Sequence, residues 1–159
     1  MSMINNIIPL SIALPLPSQC LQHKSLTDSK RKYNSKDTSK IFCDKNSAKE
    51  TSSDWSGPGW YKVTGQAGTQ LSEHSYRNAY YHGPNKNSWD GTCSTHHGGV
   101  LQGGHPSTPG QTVSRTVCFR EGSYCKASEK YEIEVTNCLT YYVYNLKTVN
   151  YCHLRYCTQ

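Results

Sequence analysis

The stretch KYEIEVTNCLTYYVYNL, Lys130 to Leu146, carries the most regular pattern in the chain. Through KYEIEVTN the residues alternate, with Tyr131, Ile133 and Val135 on one side and Lys130, Glu132, Glu134 and Thr136 on the other. A period of two is the mark of a strand with one face buried and the other in water. TYYVYNL, Thr140 to Leu146, is aromatic and β-branched throughout, and the short NCLT link makes the two runs a hairpin. TVSRTVCFR, Thr112 to Arg120, reads as a further strand with Val113, Val117 and Phe119 on one face. The expected fold is small and β-rich: mainly antiparallel β with long loops, at most one or two short helices, and stabilised by disulfides. The best helix candidate lies around Gly68 to Asn78, whereas Tyr81 to Gly110, rich in Gly, Pro, Asn and His, reads as turns and long loops.

Composition explains why disulfides are needed. The 159 residues suit one domain, but only 35% are hydrophobic, and that class leans on 12 tyrosines and 8 cysteines, with two Phe and two Met. Such a thin aliphatic core needs covalent help. Cys20, Cys43, Cys93, Cys118, Cys125, Cys138, Cys152 and Cys157 form an even set suited to disulfides in an oxidising compartment, secretory or extracellular. A structural zinc site would use closely spaced knuckles, and thioredoxin-like chemistry a C-x-x-C; the sequence has no C-x-x-C, and its one close pair is Cys152 and Cys157. The tyrosines and tryptophans read as the core in place of Leu and Ile.

The net charge of +6 is dispersed: residues 1–54 hold eight Lys/Arg and five Asp/Glu, and residues 55–159 hold nine and six. No basic stripe is present, and SKRK, Ser29 to Lys32, reads as a solvated tail or loop, so nucleic-acid binding is not expected. The apolar window Ile7 to Pro17 is too short and proline-broken to span a bilayer. Three segments follow: 1–19, a degenerate signal or precursor segment; 20–54, a polar arm tied by disulfides; and 55–159, the cysteine-rich β domain, whose packing starts at Trp55.

Catalytic signals are weak. His96, His97 and His105 in HHGGVLQGGH offer imidazoles to a metal, but the glycines give no helical scaffold, so these histidines read as exposed or hydrogen-bonded and no metal or other cofactor is expected. No G-x-S-x-G elbow occurs, Ser56 in DWSGPG reads as a turn residue, and eight cysteines leave none over as a nucleophile. Glu132 and Glu134 share the solvated face of a strand. No N-x-S/T sequon occurs.

Taken in order, GWYKVTGQAGTQL, Cys93, VLQGGHPSTPGQTVSRTVCF, YEIEVTNC, YYVYNL and CHLRYC resemble the eight-cysteine domain of the uromodulin and pancreatic secretory granule glycoprotein family, and CLQHKSLTDSKRK resembles the opening of its upstream arm. The resemblance implies a secreted or surface-anchored, non-enzymatic, β-rich module. It also implies the pairings Cys20 with Cys138, Cys43 with Cys152, Cys93 with Cys157, and Cys118 with Cys125. Two family cysteines, one near Ser75 and one beside Cys125, are missing here, and in the family they bond each other. Some members present mannose-rich glycans to bacterial fimbriae from asparagines in WLNG and YNLT; here these read VLQG and YNLK, so neither site is kept.

The expected function is a secreted, non-enzymatic extracellular binding or structural module, of adhesion or host-defence type, whose partner is an extracellular protein or glycan. Two alternatives stand beside it: a metal-binding or hydrolytic activity in the His96 to His105 loop, and a secreted toxin-like or defence protein.

Overall fold

A computed structural model describes residues 15–35, 39–73, 92–119 and 127–159. Seven strands form one curled sheet: β1 (Lys24–Leu26), β2 (Gly59–Val63), β3 (His97–Gln102), β4 (Thr112–Phe119), β5 (Lys130–Asn137), β6 (Tyr142–Leu146) and β7 (Leu154–Tyr156). Their order across the sheet is β1-β2-β6-β5-β4-β3-β7. The central pairings are antiparallel, and each edge strand, β1 on β2 and β7 on β3, joins in parallel. The hairpin read from Lys130 to Leu146 is β5 on β6, with Val135 opposite Tyr144. Helical structure among the described residues is confined to short 3-10 turns. Gly68 to Glu73 is not helical; the rest of that helix candidate lies outside the described residues, as do Ser75, Cys125 and residues 1–14 of the N-terminal segment.

One strand corrects the sequence reading. HGGVLQ, expected as loop, is β3, and its glycines are the reason. A Cβ built on Gly99 would stand 2.5 Å from the ring of Phe119, its partner across β4, so the strand makes room for the ring by having no side chain there. Gly99→Ala is expected to lower stability by about 1–3 kcal/mol through overpacking, read as a shifted urea midpoint at unchanged slope.

Aromatic rings build much of the core. Trp55 stacks on Tyr61 at 5.1 Å, and Phe119 meets Tyr131 and Tyr156 edge-on at 5.3 and 4.9 Å. Tyr61, Tyr144 and Tyr156 are fully buried among Leu26, Val117, Val135 and Leu154. Their hydroxyls are satisfied: Tyr61 donates to the Gly57 carbonyl at 2.6 Å and Tyr156 to that of Lys147 at 2.9 Å. Ser56 sits in this turn, its N–H donating to the Tyr61 hydroxyl. On β5, Lys130, Glu132 and Glu134 are exposed, but Thr136 is buried. Gln19, from the segment leading into β1, covers it and donates to its hydroxyl at 3.0 Å.

The polar arm is held by charge. SKRK is not the solvated stretch expected: its Arg31 is fully buried. Asp44 takes a forked pair of bonds from Arg31 at 2.7 and 2.8 Å, and Asp54 accepts from its Nε at 2.8 Å. Asp44 also accepts the Tyr156 N–H at 2.9 Å, so the arm locks onto β7. Beside it, buried Arg155 donates to Ser52, to the Cys93 carbonyl and to Asp28. Burial opposes the charge on Arg31, yet Asp44 and Asp54 raise its pKa above the ordinary range. Burial likewise works against the Asp54 carboxylate, but Arg31 and the N–H groups of Asp28 and Thr27 hold its pKa down to about 2. For Arg155, burial and the nearby Arg31 outweigh Asp44 and Asp28, so its pKa is lowered.

Three long disulfides complete the frame: Cys20–Cys138, Cys43–Cys152 and Cys93–Cys157, separated by 118, 109 and 64 residues. Cys118 is also disulfide-bonded. Its implied pairing with Cys125 lies outside the described residues. The β7 edge of the sheet is tied to the arm, because Thr158, just after β7, accepts from Tyr33 and donates to Arg31 through its backbone.

Candidate functional site

The structure separates the histidines that the sequence places close together. His105 leaves β3 by the turn after Gln102 and packs on Tyr142 at 4.4 Å. Its Nε2 lies 2.7 Å from the Tyr144 hydroxyl, and its Nδ1 meets the Glu73 carboxylate. The Leu71 N–H donates to the same hydroxyl at 3.0 Å. The phenol proton is thereby directed to Nε2, and Nδ1–H to Glu73. A tyrosine, histidine and glutamate in line have the form of an activated nucleophile. Here Tyr144 is fully buried, and that burial drives its pKa well above the ordinary phenol range. With that hydroxyl out of reach of a substrate, the three groups tie the turn at His105 to β6 and to Leu71. Burial also lowers the His105 pKa, Glu73 opposing it, in keeping with the neutral ring.

His97 goes elsewhere. On β3 it stands opposite Leu154 of β7, with its N–H donating to the His153 carbonyl at 2.8 Å. The His97 and His153 rings meet edge to face at 5.1 Å, and Glu129, ending the 3-10 turn before β5, brings its carboxylate 3.6 Å from His97 Nδ1. Tyr151 stacks on His153 at 5.4 Å, and His96 lies near the same ring at 6.4 Å. Burial, helped by the neighbouring histidine, lowers the pKa of both His96 and His153. Of the three histidines singled out in HHGGVLQGGH, only His97 lies in this cluster with ligand-forming geometry. Glu129 was not singled out from the sequence. CHLRYC contains His153, but only the parallel β3–β7 pairing brings it to His97. His74 and His82 lie outside the described residues.

A third feature surrounds the Cys20–Cys138 bridge. Leu21 and Leu139, each following one of the bridged cysteines, are 79% and 67% exposed, and with Tyr151 they are the exposed large hydrophobics among the described residues. Leu139 has φ +74°, a left-handed conformation costly for a leucine, and its N–H donates to the Asn137 side chain at 2.8 Å. At the same bridge Trp60 and Tyr141 pack on Cys20, Cys138 and Val143. Lys62 sits over the Tyr141 ring at 3.9 Å. The Tyr141 hydroxyl donates to the Cys20 carbonyl, fixing the ring against the bridge.

No helix among the described residues is long and apolar enough to cross a membrane. A family model described as a uromodulin-like domain, of the eight-cysteine kind, matches residues 61–158. Uromodulin of Rattus norvegicus is 35% identical over 101 residues, which are 63% of this chain and 14% of that protein. The pancreatic secretory granule membrane major glycoprotein GP2 of Mus musculus is 28% identical over 146 residues, 87% of this chain and 23% of that protein. The chain thus corresponds to less than a quarter of the length of these relatives. With its long disulfides, this similarity makes it a secreted, extracellular chain. It belongs to the family of uromodulin-like eight-cysteine domains.

Proposed function

We propose that the chain is a non-enzymatic extracellular binding module, of adhesion or host-defence type, that engages a protein partner through the face around Cys20–Cys138. The observation that carries this reading is the pair Leu21 and Leu139, exposed on either side of one disulfide, with Leu139 in a backbone conformation that leucine does not favour. An apolar pair held outward on a cross-linked base suits a contact that becomes buried on binding. Aliphatic side chains offer a sugar no hydrogen bonds, which favours protein over glycan. Lys62 above Tyr141 and the net charge of +6 favour a partner with carboxylates around its apolar contact. The relay at Tyr144 is consistent with a non-catalytic role, since its hydroxyl is buried.

The test immobilises the wild-type chain and a Leu21→Ser/Leu139→Ser variant, and probes both with a panel of secreted proteins and ectodomains, a glycan array and fimbriated bacteria. The expected result is saturable binding of a panel protein, at least tenfold weaker to the variant, with no glycan signal. Equal binding to both chains, or a glycan signal that survives the substitutions, overturns the reading.

A further inference from the structure

We propose that His97, Glu129 and His153 form a zinc-binding site, independent of the face around Cys20–Cys138. Each offers one ligand atom, and these atoms all lie within 4.8 Å of one another. Two imidazole nitrogens and one carboxylate oxygen are a ligand set that zinc accepts in four-coordinate sites, with water in the remaining position. Metal–ligand bonds near 2 Å place tetrahedral donors about 3.4 Å apart. The His97–Glu129 separation of 3.6 Å is close to that already. The wider separations close with side-chain rotations of about an ångström at the ligand atoms.

The backbone around the three residues is fixed from several directions. His97 and His153 are joined by the parallel β3–β7 ladder. His153 directly follows Cys152, which is bonded to Cys43, and β7 is anchored beyond it by Cys93–Cys157. Tyr151 stacked on the His153 ring limits its rotation. Glu129 enters from the turn that opens β5, two strands away from β3. A cation here would therefore connect three separate parts of the sheet. The side chains of His97 and Glu129 are 12% and 13% exposed, which leaves the site open to an entering ion while shielding it from most of the solvent.

Equilibrium dialysis of the tag-free, oxidised chain against zinc chloride at pH 7.5, followed by elemental analysis and a thermal melt, tests this. Expected are one tightly held zinc per chain, a Tm raised by several degrees, and no response to magnesium. Zinc affinity should fall at least tenfold in Glu129→Gln and be lost in His97→Gln and His153→Gln, while His105→Gln, at the separate Tyr144 network, retains it. Circular dichroism and the zinc-free melt of each variant establish that it is folded, and Glu129→Gln, the mildest change, keeps the test open if a histidine variant is not. Absence of stoichiometric zinc, undiminished affinity in the folded variants, or equal loss in His105→Gln overturns the proposal. Because the readout is metal content and Tm, its failure leaves the protein-binding reading untouched, and failure of the panel assay leaves this one untouched.

Discussion

Arg31→Met lowers the stability of the folded chain by about 3–5 kcal/mol, because methionine fills the space but leaves two carboxylates without their cation. Asp44 is fully buried and takes two bonds from Arg31, so in the variant its charge loses both and keeps only the longer-range attraction of Arg155. Adding Asp44→Asn to Arg31→Met should recover about 1–2 kcal/mol, since the amide removes the uncompensated charge yet still accepts the Tyr156 N–H. Urea unfolding of the three chains measures both quantities; a single-variant loss under about 1 kcal/mol would show that the ion pairs do not hold the arm. The same network sets an acid limit. Asp54, with its pKa lowered from the ordinary 3.8 to about 2, contributes about 2 kcal/mol above pH 4, and that contribution is lost as the pH falls toward 2.

Replacing Cys43 and Cys152 together by serine has an effect at least as large. Closing 109 residues restricts the unfolded chain by about 4–5 kcal/mol on the loop-entropy model. Single domains have about 5–15 kcal/mol in total, so one bridge is a large share of what holds this fold. The double variant should melt about 10–20 °C below wild type in a calorimetric scan under non-reducing conditions. Cys43 adjoins Asp44, whose backbone pairs with Leu154 and Val149, so this loss and that of Arg31→Met should not add. Strict additivity would mean that the bridge and the ion pairs anchor the arm independently.

These two predictions draw on opposite degrees of legibility in the sequence. The β4 to β6 meander was readable because Tyr131, Ile133 and Val135 alternate with charged residues, and each strand is long enough to display the period. β3 was not, because two glycines in HGGVLQ erase the alternation for a reason visible only when Phe119 lies across it. Nor was the burial of Arg31: in SKRK it looks like its neighbours, and its interior position depends on carboxylates 13 and 23 residues away. The histidines show the same limit. Spacing groups His96, His97 and His105, but β3 carries His97 to one neighbourhood and the following turn carries His105 to another. His97 instead meets Glu129 and His153, from distant segments. Leu21 and Leu139 have no pattern of their own; each takes its exposed position from the bridged cysteine before it.

The bridges also determine how the domain responds to a pull. Tension between Cys20 and Cys157 passes through the Cys20–Cys138 bond and then along the backbone from Cys138. Even with every hydrogen bond broken, only that last stretch can lengthen, to about 70 Å, whereas the same two points on an unbridged chain would separate by about 480 Å. The disulfide that carries Leu21 and Leu139 is thus also a mechanical shortcut, and it keeps most of the sheet outside the line of force.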